Sequence, residues 1–456
     1  MEQKQVQENK MGVMPVGRLL VNMSLPMMAS MLVLALYNVV DSMFVARVSE
    51  NALTALSMAF PVQNLMVALS AGLGVGLNAV LSRALGAKDG ESVRRSATNG
   101  IFLLLICAAA FMIVGATCTR AYYEAQTDIV EIVESGVVYT SIVTVGSLGL
   151  FMGIFFERLL QSTGRTVYTM MSQMLGAVIN IILDPIMIFG LLGFPEMGVA
   201  GAALATILGQ WAGACLGLAL CIKRNPEVPL SMRGFRPHGA TIKRILIIGV
   251  PSVIMQSIGS VCTFLMNQIL ISFSATAVAV FGVYFKLQSF VFMPVFGMNN
   301  GTVPIVAYNY GAKKADRMMQ AIRYSITAAI CIMVAGCLIF HIATEPLLRI
   351  FDASEEMLRI GVPALRIISL SFPVAGFCIG AGTVFQALGY SIYSMINSLV
   401  RQLVVLIPCA FIIGRVTGDV TMVWYAFVIA EAFSLALSAV FFARINKHVI
   451  RPLRES

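Results

Sequence analysis

Charge is what this 456-residue chain is shortest of: Asp, Glu, Lys and Arg supply 12% of it, against 58% hydrophobic residues. Average soluble domains carry about 25% charged residues, so too few polar side chains exist to coat a water-soluble globule. The three histidines, His238, His341 and His448, fall at loops or helix ends and never cluster, which leaves metal catalysis little to stand on. Nine cysteines sit inside or at the ends of apolar stretches without a CxxC pair. They point to buried packing rather than to a disulfide framework or a zinc site. No Walker motif occurs, which excludes ATP hydrolysis by that route. GLGVG at 72–76 has no βαβ surroundings and is no dinucleotide fingerprint. Glycine there suits close helix packing, as do Gly213 and Gly217 in GxxxG spacing.

The apolar residues fall in blocks long enough to cross a hydrocarbon core, which takes about 20 residues per helix. Spans are expected near 16–47, 52–82, 97–119, 132–158, 167–193 and 198–222, then 245–272, 277–308, 321–344, 358–385, 392–415 and 420–443. The fold class is therefore an all-α membrane protein of twelve transmembrane helices. The first fifteen residues are polar and contain acids, unlike a cleavable signal peptide, and the first span is expected to act as an uncleaved anchor. A net charge of +9 raises nucleic acid as a partner, but its placement argues against one. With the N-terminus in the cytoplasm, 24 of the 31 Lys and Arg fall on the cytoplasmic side, six fall outside and one, Lys286, lies within a span. Acids dominate the outer loops: Glu124, Asp128, Glu131 and Glu134 in one, Glu345, Asp352, Glu355 and Glu356 in another. This positive-inside bias sets both termini in the cytoplasm, and a bacterial-type inner membrane is the expected location.

The chain is also written twice. Shifted by 225 residues, Pro26 falls on Pro251, Phe60 on Phe285, Gln63 on Gln288, Gly72 on Gly297 and Gly76 on Gly301. Gly86-Ala87-Lys88 meets Gly311-Ala312-Lys313, and in the same frame Gln161 and Gly164 meet Gln386 and Gly389. Apolar composition alone does not align prolines, glutamines and a Gly-Ala-Lys turn. Each half holds six spans, so both enter the membrane in the same orientation, as two pseudo-symmetric six-helix bundles. Transporters with such parallel repeats bind cargo near the midplane between halves and rock the halves alternately. The basic stretch 223–244, with Asn225-Pro226 and Pro229, is the natural linker, giving lobes of 1–228 and 229–456.

A carboxylate inside a span costs about 2.5–3.5 kcal/mol on insertion scales, so each one asks for a reason. Asp41, Glu157, Asp184 and Glu431 qualify. Asp41 and Asp184 lie at similar depth in one half, with Asn180 one turn before Asp184 on the same face and the phenol of Tyr139 at that level. Two nearby carboxylates in low dielectric cannot both stay ionised cheaply, so either a proton is held or a hard cation such as Na⁺ neutralises them. Pro26 and Pro185 each remove a helical hydrogen bond and make hinges of the first and fifth spans. A purely structural role, bridging helices through hydrogen bonds, is the competing reading for the two aspartates. Glu157 is followed by Arg158, and pairing competes with function there. Glu431 has no evident partner; Lys286 is expected to pair with it, to repel cationic cargo, or to snorkel to the interface. Met255, Met266, Met293 and Met298 suit a pocket that accepts varied shapes, although packing is the commoner role.

Pro26 with Asp41, NIILDPIMIFG at 180–190, GVAGAALAT at 198–206 and PIVAYNYGAKK at 304–314 resemble the multidrug and toxic compound extrusion (MATE) transporters over nearly the whole chain, in the branch with acids concentrated in the N-terminal half. The resemblance implies an antiporter, not an enzyme, that exports lipophilic and often cationic drugs against inward H⁺ or Na⁺, with no other cofactor. It maps the family's cation site onto Asp41, Asn180, Asp184 and Thr206, with Tyr139 in the same cavity and Pro26 at a bend. Glu157 departs from the amide of some relatives, which leaves the choice of ion open. A lipid-linked precursor flippase of the same superfamily is the alternative, but Lys286 falls short of its cationic cavity. A receptor or scaffold leaves Asp41 and Asp184 unexplained. A monomer is expected.

Overall fold

The computed structural model describes residues 9–455 apart from 47, 233 and 352; the side chains of 38–39, 41–43, 45–46, 50 and 53 lie outside the description. Asp41 is thus placed only by its helix, and Asp352 falls outside the described residues. An apolar chain in hydrocarbon must pair every N–H and C=O within its own segment, and the described residues do so as helices. In order these are α1 (Lys10–Val13), α2 (Val16–Ala46), α3 (Glu50–Gly86), α4 (Gly90–Thr117), α5 (Thr119–Glu124), α6 (Val130–Val145), α7 (Leu148–Ser162), α8 (Thr166–Phe189), α9 (Gly198–Arg224) and α10 (Gly239–Ile271). There follow α11 (Ala275–Gly311), α12 (Ala315–Ile342), α13 (Thr344–Arg349), α14 (Glu355–Ser369), α15 (Phe372–Ala387) and α16 (Ser391–Leu399). A π-helical stretch, Val400–Leu406, joins α16 to α17 (Ile407–Thr417), and α18 (Val420–Val423), α19 (Tyr425–Ile445) and α20 (Arg451–Glu455) complete the order.

Ten helices are long and apolar enough to cross a membrane, and twelve crossings result when each of two bent pairs counts as one. The bent pairs are the spans expected near 132–158 and 358–385. α6 and α7 meet at 41°, α14 and α15 at 47°. Gly146-Ser147 and Leu370-Ser371 form the breaks, at positions that agree to within one residue under the 225-residue shift. Apolar composition continues across both, so hydropathy alone does not show them. In contrast, α2 and α8 run unbroken through Pro26 and Pro185. The carbonyl that Pro26 deprives of its helical donor, that of Asn22, accepts instead from the Thr166 hydroxyl at 3.4 Å.

The repeat is built into the backbone as well. Ser49 caps α3 by accepting from the Ala52 amide, and its counterpart Ser274 caps α11 by accepting from Ala277. Lys88 and Lys313, closing the two Gly-Ala-Lys turns, both adopt φ 56°. The halves meet through glycine. A Cβ at Gly72 would lie 2.6 Å from Val253 N, and one at its repeat mate Gly297 would lie 2.6 Å from Met28 Cα. Thus α3 lies backbone to backbone on α10 while α11 lies so on α2, each half gripping the first helix of the other. Farther along, Gly86 meets the Tyr308 carbonyl and Gly311 that of Arg83, so the contact continues to the face that carries the α3–α4 and α11–α12 turns.

Both ends of the described chain lie on that face. Arg454 of α20 pairs with Asp316 beside the α11–α12 turn at 2.9 Å. At the other end α1 wedges between the halves. Asn309, Lys314 and Arg317 donate to the carbonyls of Met11, Gly12 and Met14, at 3.2, 2.9 and 2.6 Å respectively. On the other side Asn9 donates to the Thr163 carbonyl and to Glu227. Met11 is fully buried in this seam. At the opposite ends of α10 and α11, a Cβ at Gly259 or Gly282 would meet nothing within 4 Å. The halves are closed on the face bearing the termini.

Candidate cation-coupling site

The hairpin of α8 and α9 positions the site. Its helices approach at two glycines: a Cβ at Gly209 would lie 2.6 Å from the Gly176 carbonyl, and one at Gly176 would lie 2.9 Å from that of Gly209. The Ser172 hydroxyl adds a 2.6 Å bond to the Gly213 carbonyl. Such closeness brings Asn180, one turn beyond Gly176, against Thr206 on α9. With the amide oriented so that both its atoms are satisfied, Asn180 donates to Asp184 Oδ2 at 3.1 Å and accepts from the Thr206 backbone amide at 3.2 Å. Asp184 is fully buried, Asn180 is 3% exposed and Thr206 7%. Tyr139 of α6 accepts from Gln63 of α3 at 3.0 Å and packs with Ile188 and Ala202, one turn from Asp184 and Thr206 respectively. The structure therefore gathers Asn180, Asp184, Thr206 and Tyr139 in one buried region of the first half. Asp41 shares the half through α2, its side chain outside the described residues.

A carboxylate, an amide oxygen, a hydroxyl and a phenol are hard donors that suit Na⁺, and the same carboxylate can hold a proton. Four helices, α3, α6, α8 and α9, meet here, so any ion bound at Asp184 is coupled to their packing. Among the described residues no group of three or more His, Cys, Asp or Glu stands together in a metal-binding cluster.

Glu157 lies elsewhere. It accepts from Gln173 at 2.8 Å, and Gln173 precedes Asp184 by 11 residues of α8, about 16 Å of helix. Next to it Arg158, 7% exposed, donates to Gln161 at 2.8 Å and across the halves to Asn300 of α11 at 3.1 Å. Its Nε is buried without a partner.

Two sequence expectations for the second half need correction. Glu431 does have a partner, and it is not Lys286: Arg401 donates to its carboxylate at 2.6 Å. Lys286 instead is exposed, its ammonium 5.8 Å from the Phe351 ring. Nor is Lys286 the sole base inside a span, since Arg401 lies within the π-helical stretch between α16 and α17 and Arg158 within α7. The physical reason is pairing. Arg401 enters the bundle because Glu431, 30 residues away in sequence, neutralises it. The signal for Arg401 was in the sequence, ten residues inside an apolar span; the wide turn that aims it at Glu431 was not. Gln63 and Arg158 carry no local motif that announces the contacts they make here.

Comparison with known proteins bears on this arrangement. The MatE family model matches twice, over residues 26–186 and 251–412, and its two starts are separated by the repeat shift. An FAD transporter of Shewanella oneidensis is 24% identical over 407 residues, covering 89% of each chain. A probable multidrug resistance protein, NorM, of Thermotoga maritima is 28% identical over 356 residues, 77% of this chain and 75% of that one. Among solved structures, an outward-facing multidrug resistance MATE family transporter of the MOP superfamily superposes with a TM-score of 0.90 at 26% identity, over the whole of both chains. Twelve crossings in two repeated halves, glycine-packed across their junction and matched twice by one family model, place this chain in the MATE family of multidrug efflux transporters.

Proposed function

We propose that this protein is a cation-coupled antiporter that expels lipophilic, often cationic, small molecules by alternating access, and that the buried region around Asp184 is where H⁺ or Na⁺ binds. The observation that carries this reading is Asp184 itself: a fully buried carboxylate held by Asn180 beside Thr206, in a setting where an ionisable group is expensive to keep without a use. Asp41, on α2 of the same half, completes the proposed site. Glu157 and the Arg401–Glu431 pair stand apart from it as further proton- or cargo-linked groups, with Lys286 at the surface, and Pro26 and Pro185 are the proposed hinges. The lobes are 1–228 and 229–456. Because the face bearing the termini is the basic one, it is cytoplasmic under the positive-inside rule. Its closure then makes this the outward-open state, in keeping with the likeness to an outward-facing transporter. The protein acts as a monomer in the inner membrane, catalyses no covalent chemistry and needs no cofactor beyond the coupling ion.

Asp184→Asn and Asp41→Asn should each abolish drug resistance in a sensitive host at unchanged expression. Full resistance in both would remove the ion site. A second reading, an anionic cargo, is favoured by Arg158, whose guanidinium is partly unpaired at the junction of the halves, and by the relative named for FAD transport. Efflux of a flavin dinucleotide and of a lipophilic cation, compared in the same vesicles, separates the two.

A further inference from the structure

The two halves differ at one corner where their sequences match. In the first half Thr166, opening α8, donates to the Asn22 carbonyl that Pro26 leaves free, and α1 covers the turn beside it. A Cβ at Gly164 would lie 2.9 Å from Lys10 Cε and 3.4 Å from Met11 Cγ. In the second half the repeat mates are Ser391, Ile247, Pro251 and Gly389. There the matching bond is missing: the Ser391 hydroxyl is buried with no partner, in a residue 1% exposed. Among the described residues no segment plays the part of α1, and the Gly389 Cβ position meets only Ile248 Cδ1, at 3.9 Å.

What remains is an open groove of about 740 Å³ between α10 and the start of α16, walled by Leu246, Ile247, Val250 and Ile392. Lys243 and Tyr390 stand on its lining, and no acid does. It reaches from Gly239 to Pro251, twelve residues of helix or about 18 Å, comparable with half of a hydrocarbon core about 30 Å thick. The first turn of α16 opens at the same place with no side-chain cap, so its amides present the positive end of a helix to whatever lies there.

We propose that this groove binds one anionic phospholipid of the leaflet on the termini side, with an acyl chain along Ile247 and Val250 and the phosphate at Lys243 and the α16 amides. The occupant is a lipid rather than a free anion because beyond Lys243 the walls stay apolar as far as Pro251, eight residues of helix or about 12 Å, while the cation lies toward the Gly239 end. Bound there, the lipid braces α10, which lies on α3 of the other half.

Native mass spectrometry of the whole protein, released from nanodiscs of phosphatidylglycerol and phosphatidylethanolamine, tests the assignment. Wild type should retain one phosphatidylglycerol. Lys243→Gln should lower its occupancy about fivefold, the worth of one lysine beside an anionic surface. Ile247→Trp, which fills the groove and keeps the charge, should remove the bound lipid, whereas Lys223→Gln should leave it. Equal occupancy in all four proteins would mean annular lipid only and overturn the proposal. Displacement by millimolar inorganic phosphate would overturn it too, by making a free anion the ligand.

Discussion

Closure of the termini-bearing face rests on bare glycine at crossings where backbones touch, and Gly72→Ala puts that to a quantitative test. Its Cβ would lie 2.6 Å from Val253 N and 2.9 Å from Val253 Cα, backbone atoms of α10 that cannot swing aside as a side-chain end does. Overpacking of this kind costs about 1–3 kcal/mol, and it is felt only while α3 and α10 are in contact. A central value of about 2 kcal/mol disfavours the closed arrangement about 30-fold. If the open and closed arrangements differ by a few kcal/mol, as two-state transporters require, that is enough to bring the open one into view. Spin labels at Lys88 and Lys313, both exposed at the ends of the matching turns, report the separation in a background free of the nine native cysteines. Double electron–electron resonance should show one short distance in the parent protein and an added longer population in Gly72→Ala. Gly297→Ala, on the opposite side of the pseudo-symmetry, should do the same. An unchanged distribution in both variants, with normal folding, would refute the claim that these crossings hold the face shut.

Other consequences follow from individual contacts. Removing Glu431 strands Arg401 in the second bundle, so Glu431→Gln should lower thermal stability by about 3 kcal/mol, and the paired change Arg401→Met with Glu431→Met should recover most of it in the same melt. Tyr139→Phe deletes the oxygen that accepts from Gln63; a loss of about 1 kcal/mol with impaired ion dependence of efflux is expected. Gly209→Ala, whose Cβ would lie 2.6 Å from the Gly176 carbonyl, should part α8 from α9 and weaken ion dependence without touching a polar atom. Met11→Asp places a charge in the fully buried seam of α1 and should produce the same longer label distance as Gly72→Ala.

Much of the architecture was legible because its signals are local or repeated. Twenty-residue apolar runs cannot avoid becoming helices in a membrane, and prolines, glycines and the Gly-Ala-Lys turn keep the 225-residue frame that the backbone obeys down to the φ of Lys88 and Lys313. The grouping of Asn180 with Asp184 was legible for the same reason, four residues being one turn. What escaped depends on partners far away in sequence. Glu431 reads as unpaired until Val400–Leu406 winds as a π-helix and turns Arg401 toward it. The kinks after Val145 and Ser369 are silent in hydropathy, since a bent apolar helix has the composition of a straight one. The wedge of α1 is the clearest case: its carbonyls are held by side chains some 300 positions later, and nothing in those few residues announces it.

The decisive measurement is cargo efflux from proteoliposomes under an imposed H⁺ gradient and, separately, an imposed Na⁺ gradient, for the wild type and Asp184→Asn. The account predicts that at least one gradient drives efflux by the wild type and that neither drives it in the variant, with cargo binding retained. Gradient-driven efflux by Asp184→Asn at the wild-type rate would contradict it, because the buried carboxylate would then be a strut and not the ion's seat.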